Sequence, residues 1–283
     1  MACIIECSSP SPIMPHFWLT IAIVLYACGL AYSLFTLYGR REKLEPLVIA
    51  VVRVGALFHF VSLAESVWTS RQISLLTTQR TESLLAFLLM VLFFFTYWRL
   101  RSFSHGIFVF PLVIVLTLFT ALEQRPLEFS SPLLRSGWIF THIALILAGY
   151  AALFFSFSSS ILYLVQERSL KTRSLGGIAS RLPALQVIDD IGFRSLLIGF
   201  PFMTFGLIAG SLIAEASYGA LFFRDPKIVL SIIMWAVYMI LLFTRWTAGW
   251  RGRRAAVLST VAFLAATLAW AANYISAVHR FTT

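Results

Sequence analysis

The sequence predicts an all-α integral membrane protein: a bundle of eight transmembrane helices with both termini on the outer, periplasmic side. Three observations predict it. Hydrophobic residues make up 59% of the 283-residue chain and charged residues 12%, against about 25% charged in a soluble domain. The apolar residues fall in discrete runs about 20 long, enough to carry a helix across about 30 Å of hydrocarbon. Strand-period alternation is absent, so helices rather than a closed barrel satisfy the backbone in lipid.

Taken in order, span 1 is read as Phe17–Tyr38 and ends at the charged run GRREKLEP. Span 2 is Leu47–Val67, span 3 Ser83–Trp98 and span 4 Ile107–Leu122. Span 5, Trp138–Val165, is long enough to tilt or to project into water. Span 6, Ser195–Ala216, and span 7, Ile228–Thr244, flank the polar-aromatic loop SYGALFFRDPK at Ser217–Lys227, and span 8 is Ala255–Val278. No basic residue precedes span 1, so no cleaved signal peptide is expected.

Lysines and arginines set the orientation. One set of loops holds Arg40, Arg41, Lys43, Arg99, Arg101, Arg168, Lys171, Arg173, Arg181, Arg194, Arg245, Arg251, Arg253 and Arg254. The other holds Arg71, Arg80, Arg125, Arg135, Arg224, Lys227 and Arg280. Fourteen against seven places the first set in the cytoplasm. The net charge of +10 is therefore a topology signal, and no nucleic-acid partner is expected. Cys3, Cys7 and Cys28 form no C-x-x-C or C-x-x-C-H motif, and Cys28 is read as buried packing. The cytoplasmic stretch Glu167–Arg194, with Leu182, Leu185 and Ile188 backed by Asp189 and Asp190, is read as an amphipathic helix on the membrane surface.

Five histidines are weighed singly. His16 is interfacial and His105 solvated in a basic loop. His142 enters span 5 and His279 closes span 8, so both lie at the outer boundary beside the Ser217–Lys227 loop. Two imidazoles at one level meet the requirement for axial ligation of a haem iron, and equally suit interfacial histidines making ordinary hydrogen bonds. His59, between Arg53 and Glu65 in span 2, shares a helical face with Gly55, Ser62 and Ser66. That polar seam is either an interhelical hydrogen-bond network or a site on a haem or proton route. In the loop, Tyr218, Phe222 and Phe223 offer a face for a porphyrin, and Arg224 and Lys227 offer cations for its propionates. Asp225-Pro226 reads as the N-cap and first residue of span 7 with or without a ligand. No phosphate loop, H-E-x-x-H or nucleophile elbow occurs, so no catalytic residue is assigned and an enzyme is not expected.

Through GFPFMTFGLIAGSLIA, SYGALFFRDPK and MWAVYMILLFTRWTAGWRGRRAA the chain resembles the haem-handling cytochrome c assembly family, the CcmC/CcsA group with its HemX-like relatives. HIALILAGYAALFFSFSSSILYLVQERSLK, RLPALQVIDDIGFR and LFHFVSLAE extend the resemblance. Family members carry W-G-x-x-W-x-W-D-P-K-E, then H-T-R, then G-W-R-G-R-R-A. Here the three tryptophan positions fall on Tyr218, Phe222 and Arg224, and the terminal acid on Ile228, while Gly219, Asp225, Pro226 and Lys227 keep the pattern. The histidine of H-T-R falls on Phe243, before Thr244 and Arg245. The resemblance implies non-covalent haem b near the periplasmic face, axial ligands at His142 and His279, and a further family histidine at His59. It divides the chain into an N-terminal four-helix membrane region, 1–137, and a cytochrome c assembly-like region, 138–283, and implies a multi-pass protein of the bacterial inner membrane.

The missing H-T-R histidine and thinned tryptophans lie closer to the HemX-like branch than to a full cytochrome c synthase. The expected function is to hold haem for delivery or sensing, with the lipid bilayer and cytochrome c assembly components as partners. A rival expectation is a HemX-like regulator or scaffold that meets a tetrapyrrole-synthesis enzyme through Glu167–Arg194. A third, a transporter built on Arg53, His59 and Glu65, lacks the paired broken helices of a midplane site.

Overall fold

The computed structural model describes residues 14–38, 42–70, 78–100, 102–122, 137–172, 182–218 and 225–272. They form α1 (Met14–Tyr38), a 3₁₀ turn (Glu42–Leu44), α2 (Glu45–Ser70), α3 (Thr78–Leu100), α4 (Gly106–Leu122), α5 (Gly137–Lys171), α6 (Leu185–Tyr218), α7 (Pro226–Thr247) and α8 (Arg253–Ala271). No strand occurs among the described residues. Seven of the eight α-helices are long and apolar enough to cross a bilayer. The eighth, α4, has 17 residues, about 25 Å of helix, just short of the hydrocarbon thickness.

Helices that are apolar on all sides must be buried in protein or in lipid. Large side chains such as Phe35, Phe95, Phe119, Phe205, Phe243 and Trp246 stand outward, as expected where hydrocarbon is the solvent. Cys28 is among these outward residues, contrary to the expectation of buried packing: the core-facing positions around it are Tyr26, Gly29, Tyr32 and Ser33. The most enclosed helix is α5, with 44% of its apolar window buried, and the least is α7, with 17%. α5 therefore lies at the centre and α7 at the rim.

Two apolar clusters meet on α5. One gathers α1–α4 around Tyr26, Val52, Leu89, Phe93 and Phe110 and takes in Phe154 and Phe155 of α5. The other joins Leu153 of α5 to Leu196 and Met203 of α6, Met234 and Tyr238 of α7, and Ala262 and Ala266 of α8. Between helices in lipid, small residues let backbones come close and gain packing. The buried face of α8 follows this rule, running Ala255, Ala256, Ser259, Ala262, Ala266, Ala269. The α5–α6 interface follows it too. A Cβ at Gly199 would stand 2.9 Å from Ala152 Cβ, one at Gly206 2.8 Å from Ile146, and one at Gly149 3.2 Å from the Met203 backbone.

The stretch between spans 5 and 6 differs from the surface helix expected. α5 continues to Lys171 and α6 starts at Leu185, so Leu185, Ile188, Asp189 and Asp190 are the first turns of a spanning helix. Residues 173–181 lie outside the described residues. The apolar spacing was that of a helix; its buried face meets the bundle instead of the headgroups. Ile188 is fully buried, and Asp189 pairs with Arg245 of α7 at 2.7 Å, with side chains 13% and 9% exposed. The Arg245 guanidinium also lies over the Phe193 ring, and Asp189 Oδ1 accepts from the Gly252 amide. One carboxylate thus ties together the start of α6, the end of α7 and the start of α8.

His105 is not solvated. The turn before α4 folds inward because Phe103 packs on Tyr32, Phe93, Tyr97 and Phe110, and its carbonyl accepts from the Gly106 amide. His105 is carried in with it, stacked on Phe155, with Nε2 bonded to Ser159 Oγ at 3.0 Å. Burial pushes its imidazole pKa down to about 4. Above the ordinary value of 6.5 both folded and unfolded states are neutral and the contribution to stability is whole. As pH falls from 6.5 toward 4 the unfolded chain takes up a proton that the folded one refuses, and stability declines.

Thermal unfolding in detergent is expected to show a loss of about 2 kcal/mol between pH 7 and pH 5 from this group. The loss should shrink in His105→Gln, whose amide can still meet Ser159. Asp189→Ala and Arg245→Ala are each expected to destabilise by about 3 kcal/mol, since each leaves a buried charge unpaired. The double variant should cost less than the sum of the two, which a double-mutant cycle of melting curves measures.

Candidate functional site

At one end of the bundle α5, α6 and α7 bring three of the expected site residues together. His142 lies in the second turn of α5, and its ring rests on α6 at Gly206 and Gly210. Nδ1 is 2.7 Å from the Gly206 carbonyl oxygen, which makes Nδ1 the donor and fixes the tautomer. Nε2 makes no hydrogen bond among the described residues. Gly210 is what makes room for the ring: a Cβ there would stand 2.5 Å from His142 Cε1. The second half of the GLIAG sequence in span 6 is thus a seat for an imidazole as well as a packing surface.

Asp225 and Lys227 start α7 at the same end. Asp225 is buried and caps the helix, its Oδ1 accepting from the Lys227 amide at 2.9 Å, with Pro226 at the first helical position. This is the capping arrangement read from Asp225-Pro226. The half-buried Lys227 ammonium lies within electrostatic reach of His142. Tyr218 closes α6. Its side chain, and residues Phe222, Phe223, Arg224 and His279, lie outside the described residues.

His59 sits elsewhere, in the α1–α3 core, and is fully buried. Nδ1 meets Tyr26 Oη at 3.2 Å and Nε2 meets Ser83 Oγ at 2.9 Å, so one imidazole links α1, α2 and α3. Tyr26 and Phe87 pack against the ring edge-on. The shared helical face holds for Gly55 and Ser62, which are buried with His59; Arg53 points outward and leaves the seam. One carboxylate oxygen of Glu65 is buried without a hydrogen bond among the described residues.

A second polar region was missed in the sequence. Ser156, Ser159 and Ser160 of α5, Tyr163, Asp189, Arg245 and Ser259 of α8 line a cavity of about 10 Å³, room for a single water. Ser156 and Ser259 bond across it at 3.1 Å. The signal was present as the run Ser156, Ser158, Ser159, Ser160 within span 5, too many hydroxyls for lipid contact. Sequence reasoning also passed over Tyr238, whose hydroxyl is fully buried in the α5–α8 core without a partner among the described residues. Among the described residues no three of His, Cys, Asp and Glu gather as a cage for a metal ion.

A family profile described as "Cytochrome C assembly protein" matches residues 57–276, from inside α2 to beyond α8. Among curated relatives, "Cytochrome c biogenesis protein CcsA" of Mesostigma viride is 30% identical over 168 residues, 52% of this chain and 55% of the relative. CcsA of Heterosigma akashiwo is 29% identical over 214 residues, 63% and 66% of the two chains. CcsA of Pyropia yezoensis is 26% identical over 286 residues, 87% and 88%. The chain thus spans between about half and two thirds of the length of the first relatives it matches. No solved structure matches. These matches give no ground for a HemX-like branch or for a tetrapyrrole-synthesis enzyme as partner.

The hydrogen-bonded hub on His59 makes a stability test. Tyr26→Phe removes one partner of a buried imidazole and is expected to cost about 1 kcal/mol, near the usual worth of an interhelical bond in a membrane. His59→Ala should cost more, because it also strands Ser83 and leaves a cavity between three helices. Both are read from unfolding of the detergent-solubilised protein.

Proposed function

Because this chain belongs to the cytochrome c assembly protein family, we propose that it is a haem-handling membrane protein that holds haem b non-covalently at the His142 end of the bundle. The observation that carries this reading is the bond from His142 Nδ1 to the Gly206 carbonyl. An iron-ligating histidine commonly donates its other ring N–H to a carbonyl or carboxylate, which orients the ring and raises the basicity of the ligating nitrogen. His142 is prepared in that way, its Nε2 lone pair left for an axial bond. The nearby Lys227 ammonium is the kind of group that pairs with a propionate.

His279 is proposed as the ligand from the opposite face. Tyr218, Phe222 and Phe223 are proposed as the porphyrin platform, and Arg224 as a second cation for the propionates. Asp225 holds Lys227 in register through the N-cap. His59 is proposed as a station on a haem route through the 1–137 region; to contact haem it would have to release Tyr26 or Ser83. Haem would supply a redox-active iron, and this chain's part is to hold it for delivery or sensing rather than to catalyse. We place the protein in a bacterial inner membrane with α4 as the eighth span and the His142 end facing the periplasm, with other cytochrome c assembly components as partners.

The test is the absorption spectrum of the detergent-purified protein with and without added haem. A Soret band is expected, and His142→Ala should abolish or shift it; an unchanged band in that variant overturns the assignment. Gly210→Ala pushes a methyl group into the imidazole while leaving the α5–α6 glycines in place. It is expected to keep the melting temperature within a few degrees and to weaken haem binding by about tenfold to a hundredfold, the usual cost of disturbing a ligand's support.

A further inference from the structure

The opposite end of the bundle carries a groove that the haem reading does not use. It is bounded by Trp250, Arg253, Arg254, Val257, Leu258 and Val261 and has a volume of about 390 Å³. The turn from α7 to α8 builds it. Gly249 and Gly252 adopt φ of 62° and 66°, in the left-handed region that favours glycine, and so reverse the chain within a few residues. The amides of Ala248 and Trp250 both donate to the Thr244 carbonyl, fixing Trp250 beside the start of α8. A side chain at 252 would also meet the Tyr163 hydroxyl at 2.6 Å, so this turn has little freedom to spread.

The lining is divided by chemistry. Arg253 and Arg254 begin α8, with Arg251 just before, and all three are exposed and have no ion pair among the described residues. Asp189, the acid bonded to this turn, is already engaged by Arg245 and the Gly252 amide. Val257 and Val261 follow Arg253 at successive helical turns, with Leu258 following Arg254, so an apolar strip runs about 12 Å from the arginines into the span. Val257 and Val261 are about half exposed along it. Trp250 stands at the boundary, where indoles concentrate at the membrane surface.

We propose that this groove binds one anionic phospholipid of the adjoining leaflet. Its phosphate pairs with Arg253 and Arg254, and an acyl chain lies along Val257, Leu258 and Val261. A soluble anion would leave the apolar strip unused, and a neutral lipid would leave the arginines unpaired. Only a ligand with a negative head and a hydrocarbon tail uses both ends. The proposal is independent of where haem binds.

The test takes the full chain in mild detergent, titrates it with phosphatidylglycerol or phosphatidylcholine, and counts bound lipid by native mass spectrometry. Wild-type protein should retain one phosphatidylglycerol in preference to phosphatidylcholine. R253Q/R254Q should lose that preference by about thirtyfold, taking about fivefold per arginine near a membrane surface. R253K/R254K should keep most of it, V257S/V261S should weaken it, and R99Q, at the same end on α3, should leave it unchanged. Both arginines are exposed, so an unaltered melting curve will show that R253Q/R254Q folds. Equal retention of the two lipids, or an unchanged preference in R253Q/R254Q, overturns the proposal. So does displacement of the lipid by inorganic phosphate, which would mark a plain anion site. Loss of haem from R253Q/R254Q with lipid retention intact would assign the groove to haem instead.

Discussion

The bundle depends on how closely α5 and α6 approach. Gly149 on one helix and Gly199 and Gly206 on the other remove the side chains that would hold them apart. Lipid gives no hydrophobic drive to join two apolar helices, so this contact rests mainly on close packing, and a single added methyl at Gly199 would collide with Ala152. The same approach brings the Gly206 carbonyl to His142 and leaves the hollow at Gly210 for its ring. Packing and site geometry are therefore one constraint: the imidazole is placed by the interface that holds the helices.

Polar side chains within the spans obey a second constraint, that lipid offers them no partners. Each buried imidazole has found a hydroxyl: His59 meets Tyr26 and Ser83, and His105 meets Ser159. Arg245, at the membrane boundary, has Asp189 and the Phe193 ring. His105 also has an unbonded nitrogen, but one sealed in the core, whereas His142 has Nδ1 held by a backbone carbonyl and Nε2 free among the described residues on a ring that is only partly buried. That asymmetry separates an imidazole available to a ligand from those that act as rivets between helices.

The spans themselves were legible because membrane helices announce themselves by length and composition, and the boundaries fell within a few residues for spans 1, 2, 4 and 7. The Asp225-Pro226 start of α7 was legible because a cap is a local device. Other features depended on neighbours that no local pattern reveals. The spacing of Leu185 and Ile188 correctly signalled a helix, but whether its apolar side met headgroups or protein was decided by Arg245, more than fifty residues later. His105 looked solvated among basic residues, yet the aromatic set of Phe93, Tyr97, Phe103 and Phe110 pulls its turn inside. Arg245 was read as a charge that sets topology and as the last residue of a broken histidine motif, not as half of an ion pair; its partner lay in a stretch read for its apolar face. The seat of His142 was hidden for the same reason, since nothing local to Gly206 and Gly210 shows that an imidazole from another helix rests on them.

One further consequence follows from the length of α5. Its 35 residues make a rod of about 52 Å without an internal proline, gripped by both apolar clusters along the middle. One end carries His142, and the other carries Lys171 paired with Glu167. The imidazole near one end and the ion pair at the other are thus joined through a single unbroken piece of backbone.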